Sequence, residues 1–156
     1  MDFEAQMAKV GAVSRATNSD MGRLTQTARK LGATTTFSAS QAAQGMEFLG
    51  MAGFSTGEII KTMPGLLNLA KAGTLGLGKA SDIASDIMSG FGLKAEDMGR
   101  ISDVLTATFT RSNTTLGMLG ETMKFVAPVA KTAGLSIEET SAFAGILANS
   151  GIKASQ

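Results

Sequence analysis

Apolar residues recur along most of this chain at intervals of three and four, the spacing of one face of an α-helix. From Phe3 to Leu31 the stripe consists of Phe3, Met7, Val10, Val13, Met21, Leu24, Ala28 and Leu31, with no proline to interrupt it. This predicts one long amphipathic helix, or two if Asn18-Ser19-Asp20 acts as an internal cap. A further helix is expected from about Ala39 to Ala52. Another starts at Glu58, is kinked or restarted by Pro64, and is carried by Leu66, Leu67, Leu69 and Ala70 to Gly73. Ile83, Ile87, Met88 and Phe91 form the next stripe. Met98, Ile101, Val104, Leu105, Thr108 and Phe109 give the most regular one. Leu116, Leu119, Met123, Val126, Ala127 and Ala130 follow, with Pro128 expected to kink or divide their helix near Ala127. Phe143, Ile146 and Leu147 are expected to continue the core until Gly151.

Short corners separate the stripes. In Ala133-Gly134-Leu135-Ser136-Ile137-Glu138-Glu139, Gly134 suits the left-handed position that ends one helix, and Leu135 folds back on its last turn. Ser136 and Glu139 then form an S-x-x-E capping box that opens the next helix. Gly53 with Ser55 and Glu58 repeats the device, and Ser38 with Gln41 makes a further box after Gly32, which ends the N-terminal segment. The corners at Gly92 and Gly151 keep the glycine and the apolar residue, but Lys94 and Lys153 stand where serine caps better. Gly53, Gly92 and Gly134 lie 39 and 42 residues apart, a period that suits repeated helical hairpins. The expected fold is therefore all-α, an array of antiparallel hairpins. Residues 1–31 form an N-terminal amphipathic helix and residues 32–156 a hairpin module, with one more helix expected to start at Ile152 to Gln156, as in a fragment of a longer protein.

Composition narrows the chemistry. The 156 residues contain no cysteine and no histidine, which removes disulfides, thiolate ligands and the commonest general base. Apolar residues make up 44% and charged ones 17%, with a mean hydropathy of +0.16, so part of the surface is expected to meet a partner. A net charge of +1 argues against a dedicated nucleic-acid binder. No apolar run reaches membrane-spanning length, and Met1-Asp2-Phe3-Glu4 lacks the basic start of a signal peptide. On a single long helix Arg15, Arg23, Arg29 and Lys30 fall opposite the apolar stripe, a basic face suited to solvent or to an acidic or phosphate partner.

Three motifs suggest chemistry, and each has a structural reading. Gly73 to Lys79 matches G-x-x-x-x-G-K, but Ala80 replaces the Ser/Thr that holds magnesium and a helix precedes it, so a loose interhelical loop is expected. Asp82 and Asp86, four apart, have the spacing to share a cation or a proton, but read as exposed acids in the N-terminal half of a helix whose dipole favours them. Ser150-Gly151-Ile152-Lys153 matches S-x-x-K but falls on a helix end without companion motifs. No catalytic residue, cofactor or metal site is predicted.

The order of the corners resembles the core region of phage tail tape measure proteins, a family of minor tail proteins. The residues that carry the likeness begin with Phe3 to Val10, Leu31-Gly32-Ala33-Thr34-Thr35-Thr36-Phe37-Ser38, Met51-Ala52-Gly53-Phe54-Ser55 and Pro64-Gly65-Leu66-Leu67. They continue with Ser112-Asn113-Thr114-Thr115, Val126-Ala127-Pro128-Val129-Ala130 and Gly134-Leu135-Ser136-Ile137-Glu138-Glu139-Thr140. The resemblance implies a non-enzymatic structural segment, made in the host cytoplasm and housed in the lumen of the tail tube. It implies a role in setting tube length and release during DNA ejection. The implied partners are the tail tube protein, tail assembly chaperones and other copies of itself, without specific nucleic-acid binding. The alternative is a membrane-active amphipathic module that meets the host envelope.

Overall fold

Side-chain hydroxyls start most of the helices. In the computed structural model, which describes residues 2–152, the Ser38, Ser55 and Ser136 hydroxyls accept from the backbone N–H groups of Gln41, Glu58 and Glu139. The side chains of those three residues accept the serine N–H groups in return. Each cap of this kind contributes about 1 kcal/mol. The helices are α1 (Phe3–Ser14), α2 (Asn18–Thr34), α3 (Ala39–Met51), α4 (Thr56–Gly73), α5 (Leu77–Phe91), α6 (Met98–Thr110), α7 (Leu116–Thr132) and α8 (Ile137–Asn149). No strand occurs among the described residues.

A fourth capping box corrects the expectation of one long N-terminal helix. The Thr17 hydroxyl accepts from the Asp20 N–H and the Asp20 carboxylate accepts from the Thr17 N–H, so the cap is Thr17 rather than Asn18. Arg15, at φ 53°, closes α1 in a left-handed conformation. This break lets α1 lie on α3 while α2 turns back to meet both α3 and α4. Lys94 shows the converse. Its N–H is accepted by Asp97 at 2.9 Å, but lysine returns no cap, and the chain enters α6 through a 3-10 turn, Ala95–Asp97.

Other boundaries also differ from expectation. Gly32 does not end its helix, which runs on to Thr34. A Cβ there would lie 2.5 Å from the Ala39 backbone nitrogen, so glycine permits the close approach of α3. Helices α4 and α7 run through Pro64 and Pro128 without division. Both prolines are exposed, so the backbone carbonyl that each leaves unpaired lies on the wet side of its helix. The residues from Gly73 to Ala80 are not a loose loop either. Only Thr74, Leu75 and Gly76 separate α4 from α5. Residues 153–156, where a further helix start was expected, lie outside the described residues.

One hydrogen bond recurs at the corners. The Leu135 N–H donates to the Ala130 carbonyl at 2.9 Å, and Phe54, Leu75, Leu93 and Ile152 donate in the same way to Leu49, Ala70, Met88 and Leu147. The residue before each donor sits at positive φ: Gly53, Thr74, Gly92, Gly134 and Gly151. Helices joined by these corners reverse direction, and helices two apart pack side by side. Helices α1, α3, α5 and α7 form one layer and α2, α4, α6 and α8 the other, with the most extensive packing between α1 and α3, α5 and α7, and α4 and α6. Between the layers lies a continuous core that includes Leu24, Met46, Leu49, Ile59, Met63, Leu66, Leu67, Leu69, Ile87, Ile101 and Leu105.

The corners are testable at two residues. Thr74 is exposed and makes no side-chain hydrogen bond, yet holds φ 52°, a conformation that costs an L-residue about 1 kcal/mol or more. Thr74→Gly is expected to stabilise the fold by about 0.5–1 kcal/mol in urea denaturation. At Gly134, φ 78°, no atom lies within 4 Å of an added Cβ, so Gly134→Val meets backbone strain alone. A loss of about 1–2 kcal/mol is expected there, and an unchanged melting curve would contradict the role assigned to the corner.

Candidate functional site

The long-range polar contacts form a ladder with the period of the stack. Lys61 pairs with Glu96, Lys79 with Glu121, and Arg100 with Glu138, at sequence separations of 35, 42 and 38 residues. Gln6 donates to Glu47 41 residues on, and the Asn113 N–H donates to Asn149 Oδ1 36 residues on, at 2.7 Å. Every rung joins a helix, or the turn at its end, to the helix or turn two places further along. The Arg100 guanidinium makes the most directional one, with Nε and Nη2 donating to the two Glu138 oxygens at 2.5 and 2.7 Å.

Charge pairing sets the protonation of these acids. Arg100 beside Glu138 draws its carboxyl down to about 2, and Glu138 raises the guanidinium in turn. The ammonium groups of Lys61 and Lys79 lower Glu96 and Glu121 respectively. Glu139 is lowered as well, chiefly by the Ser136 backbone N–H that it caps. These shifts mark structural contacts between exposed groups. They bring no pair of acids together across a cleft.

The structure disperses the candidate chemistry. Arg15 lies at the left-handed end of α1, so it does not share one helical face with Arg23, Arg29 and Lys30 of α2. Arg23 lies 3.6 Å from Asp20, and the Arg29 guanidinium stacks 5.5 Å from the centre of the Phe3 ring. Lys79, the lysine of the phosphate-loop-like stretch, belongs to α5 and is engaged by Glu121. Asp82 is exposed and Asp86 half-buried on α5, and neither forms a salt bridge among the described residues. Ser150 Oγ donates to the Ile146 carbonyl at 3.2 Å, while Lys153 lies outside the described residues.

The most conspicuous surface lies at the far end of the stack, and it corrects the sequence reading of the last two helices. Phe143, Ile146 and Leu147 are not core: they are 58, 61 and 45% exposed. Val126 is half-open, and Phe125 and Val129 reach 73 and 69%. Helix α7 turns Gly120 and Ala127 toward α5. Phe125 and Val129 therefore face away at 100° per residue. On α8, Glu138 and Gly145 face α6, so Phe143 and Leu147 look outward. A groove of about 210 Å³ runs between the two helices over Phe125, Val126, Leu147 and Ile152. Periodicity alone could not show which apolar stripe lacks a neighbour. The ladder was legible in principle, as opposite charges spaced by the distance between corners.

Comparison with known proteins places this architecture. The family described as phage-related minor tail protein matches residues 25–156. The chain is 44% identical to the tape measure protein of Pneumococcus phage Dp-1 over 99% of its own length, and 32% identical to the probable tape measure protein of Escherichia phage P2 over 83%. It covers only 14% and 16% of those two proteins. No solved structure matches.

The ladder predicts an acid-sensitive fold. Carboxylates held below their ordinary value of 4.5 stabilise the folded state above that pH, and this contribution fades as pH falls toward the folded value, about 2 for Glu138. Tm is expected to stay level from pH 7 to about 5 and to fall between about pH 4.5 and 2. Glu138→Gln should flatten that decline while costing no more than about 1 kcal/mol at pH 7, since both partners are nearly half exposed. Thermal melts of both proteins across that range provide the check.

Proposed function

The chain belongs to the phage-related minor tail protein family, as a segment of tape measure type, and we propose that it is a folded module within a protein that sets tail tube length. The observation that carries this reading is the parallel stacking of alternate helices, locked by polar rungs spaced 35–42 residues apart. In this arrangement each hairpin advances the structure by one helix diameter, about 10 Å. The same residues drawn into one continuous helix would rise roughly 60 Å. The difference decides how the region could act as a ruler. As a folded stack it contributes little to measured length, and most of that length comes from sequence outside it.

On this reading the module works in the virion, within the tail tube lumen, after synthesis in the host cytoplasm. Its partners are the tail tube protein, the tail assembly chaperones and other copies of the same protein. It leaves the tube when DNA is ejected. Arg23, Arg29 and Lys30 lie on α2, at the opposite end of the stack from the exposed apolar residues of α7 and α8. The two halves of an amphipathic, membrane-seeking surface are therefore not on one face.

An in-frame deletion separates the two kinds of ruler. Removal of residues 54–92, one corner-to-corner repeat, from the complete protein is expected to shorten tails by no more than about 10 Å when measured by electron microscopy. Shortening by roughly 60 Å would show that the region lies extended in the tube. Unchanged tail length after deletions elsewhere in the protein, in proportion to nothing removed, would overturn the ruler function itself.

A further inference from the structure

We propose that the outer face of α7 and α8 is the seat of the next helical hairpin of the parent protein, one lying C-terminal to Gln156 and stacked in the same parallel register. The proposal rests on the reading of this chain as a segment of a longer tape measure protein, since it spans 14% and 16% of the two relatives. Its structural basis is a match between repeats. The corners at Gly92 and Gly134 and the partners Lys79 and Glu121 are separated by the same 42 residues. In that register Phe125, Val126 and Val129 occupy the positions held one repeat earlier by Ile83, Ala84 and Ile87. Those three earlier residues are buried.

What buries them is visible at Ile83. A Cβ on Gly120 would lie 2.5 Å from Ile83 Cγ1, so this side chain presses directly against the helix two places on. Phe125 stands at the same point of α7 and packs against nothing comparable. The exposed phenylalanine is thus a stacking residue without its next layer, and a terminal repeat meant for solvent would carry a polar outer face instead.

The turn after α8 carries the same signal. Gly151 sits at φ 87° and the Ile152 N–H donates to the Leu147 carbonyl at 2.9 Å, the bond that elsewhere precedes a helix reversal. Leu93 and Leu135, at the equivalent points, are partly buried, whereas Ile152 is exposed.

A second copy of the chain is a poorer occupant in a head-to-tail arrangement. The first layer presents Glu4, Ala5, Ala8, Lys9 and Ala12 on the exposed side of α1, and α2 adds Arg23, Gln26, Arg29 and Lys30. Charged, polar and small residues give little cover to Phe143 and Ile146. A hairpin that continues the stack, with an apolar inner face of the kind α7 presents to α5, meets the requirement.

Amide hydrogen exchange on the complete protein and on residues 1–156, side by side, tests the proposal. In the complete protein, exchange in α7 and α8 is expected to slow at least about tenfold relative to the shorter chain, to stay slow on tenfold dilution, and to be restored by Phe125→Asp with Val129→Asp while α3 to α5 remain protected. Equal exchange in both proteins would overturn it. Protection that vanishes on dilution, or sedimentation of residues 1–156 as a dimer that Phe125→Asp dissociates, would assign the face to a second copy instead. Tail length in phage carrying the double variant is a separate readout. If exchange behaves as expected but no change anywhere in the protein alters tail length, the ruler reading fails while the stacking proposal stands.

Discussion

A helix that ends on a left-handed residue, with the following N–H bonded to a carbonyl five residues back, has its direction of exit fixed. In this protein that hydrogen-bonded corner occurs at Arg15, Gly53, Thr74, Gly92, Gly134 and Gly151. Each corner reverses the chain, so alternate helices become parallel neighbours at the same height. The ladder follows from that geometry, because residues one repeat apart are brought side by side. Its rungs also have a direction: the cation lies on the earlier helix and the acid on the later side, just before α6 for Glu96, in the first turn of α8 for Glu138 and in the second turn of α7 for Glu121. Glu96 and Glu138 sit where a helix dipole favours an acid, and Lys79 and Arg100 sit near the positive end of their own helices, where an adjacent carboxylate offsets the disadvantage.

The parts of this fold that could be read from the sequence are those set by local chemistry. A serine or threonine three residues before an acid or amide competes for the same backbone N–H groups wherever it occurs, and Ser38, Ser55 and Ser136 cap their helices accordingly. The spacing of Gly53, Gly92 and Gly134 likewise reports the repeat, because a positive-φ corner is a property of a few residues. Misreadings arose where the outcome depends on what lies across the interface. Pro64 and Pro128 do not divide their helices, because both face solvent and the carbonyl that each orphans is open to water. The basic face assumed one helix from Phe3 to Leu31, and the box formed by Thr17 and Asp20 removed that premise.

The candidate surface was hidden for a related reason. Phe143, Ile146 and Leu147 continue an apolar stripe, and a stripe measures only readiness to pack. Whether a neighbour is present is a property of the stack. A β-branched apolar residue is core at Ile87 and surface at Val129, its counterpart one repeat on. The long-range charge pairs were more accessible, since opposite charges at the corner period recur three times.

The energetics of this arrangement decide how the stack comes apart. The principal contacts join each helix to the next or to the next but one. Stability in such an array is close to a sum of nearest-neighbour terms. The exposed ion pairs contribute little individually, of order 1 kcal/mol or less, so the apolar layers hold the hairpins and the rungs mainly fix their register. An outer layer can therefore be detached by giving up one interface, without disturbing layers further in. A single long helix offers no such increments, since its packing would have to be released over its whole length. A stack with local contacts comes apart in order from an end, and the exposed Phe125 and Val129 identify the end whose stability depends most on what is layered over it.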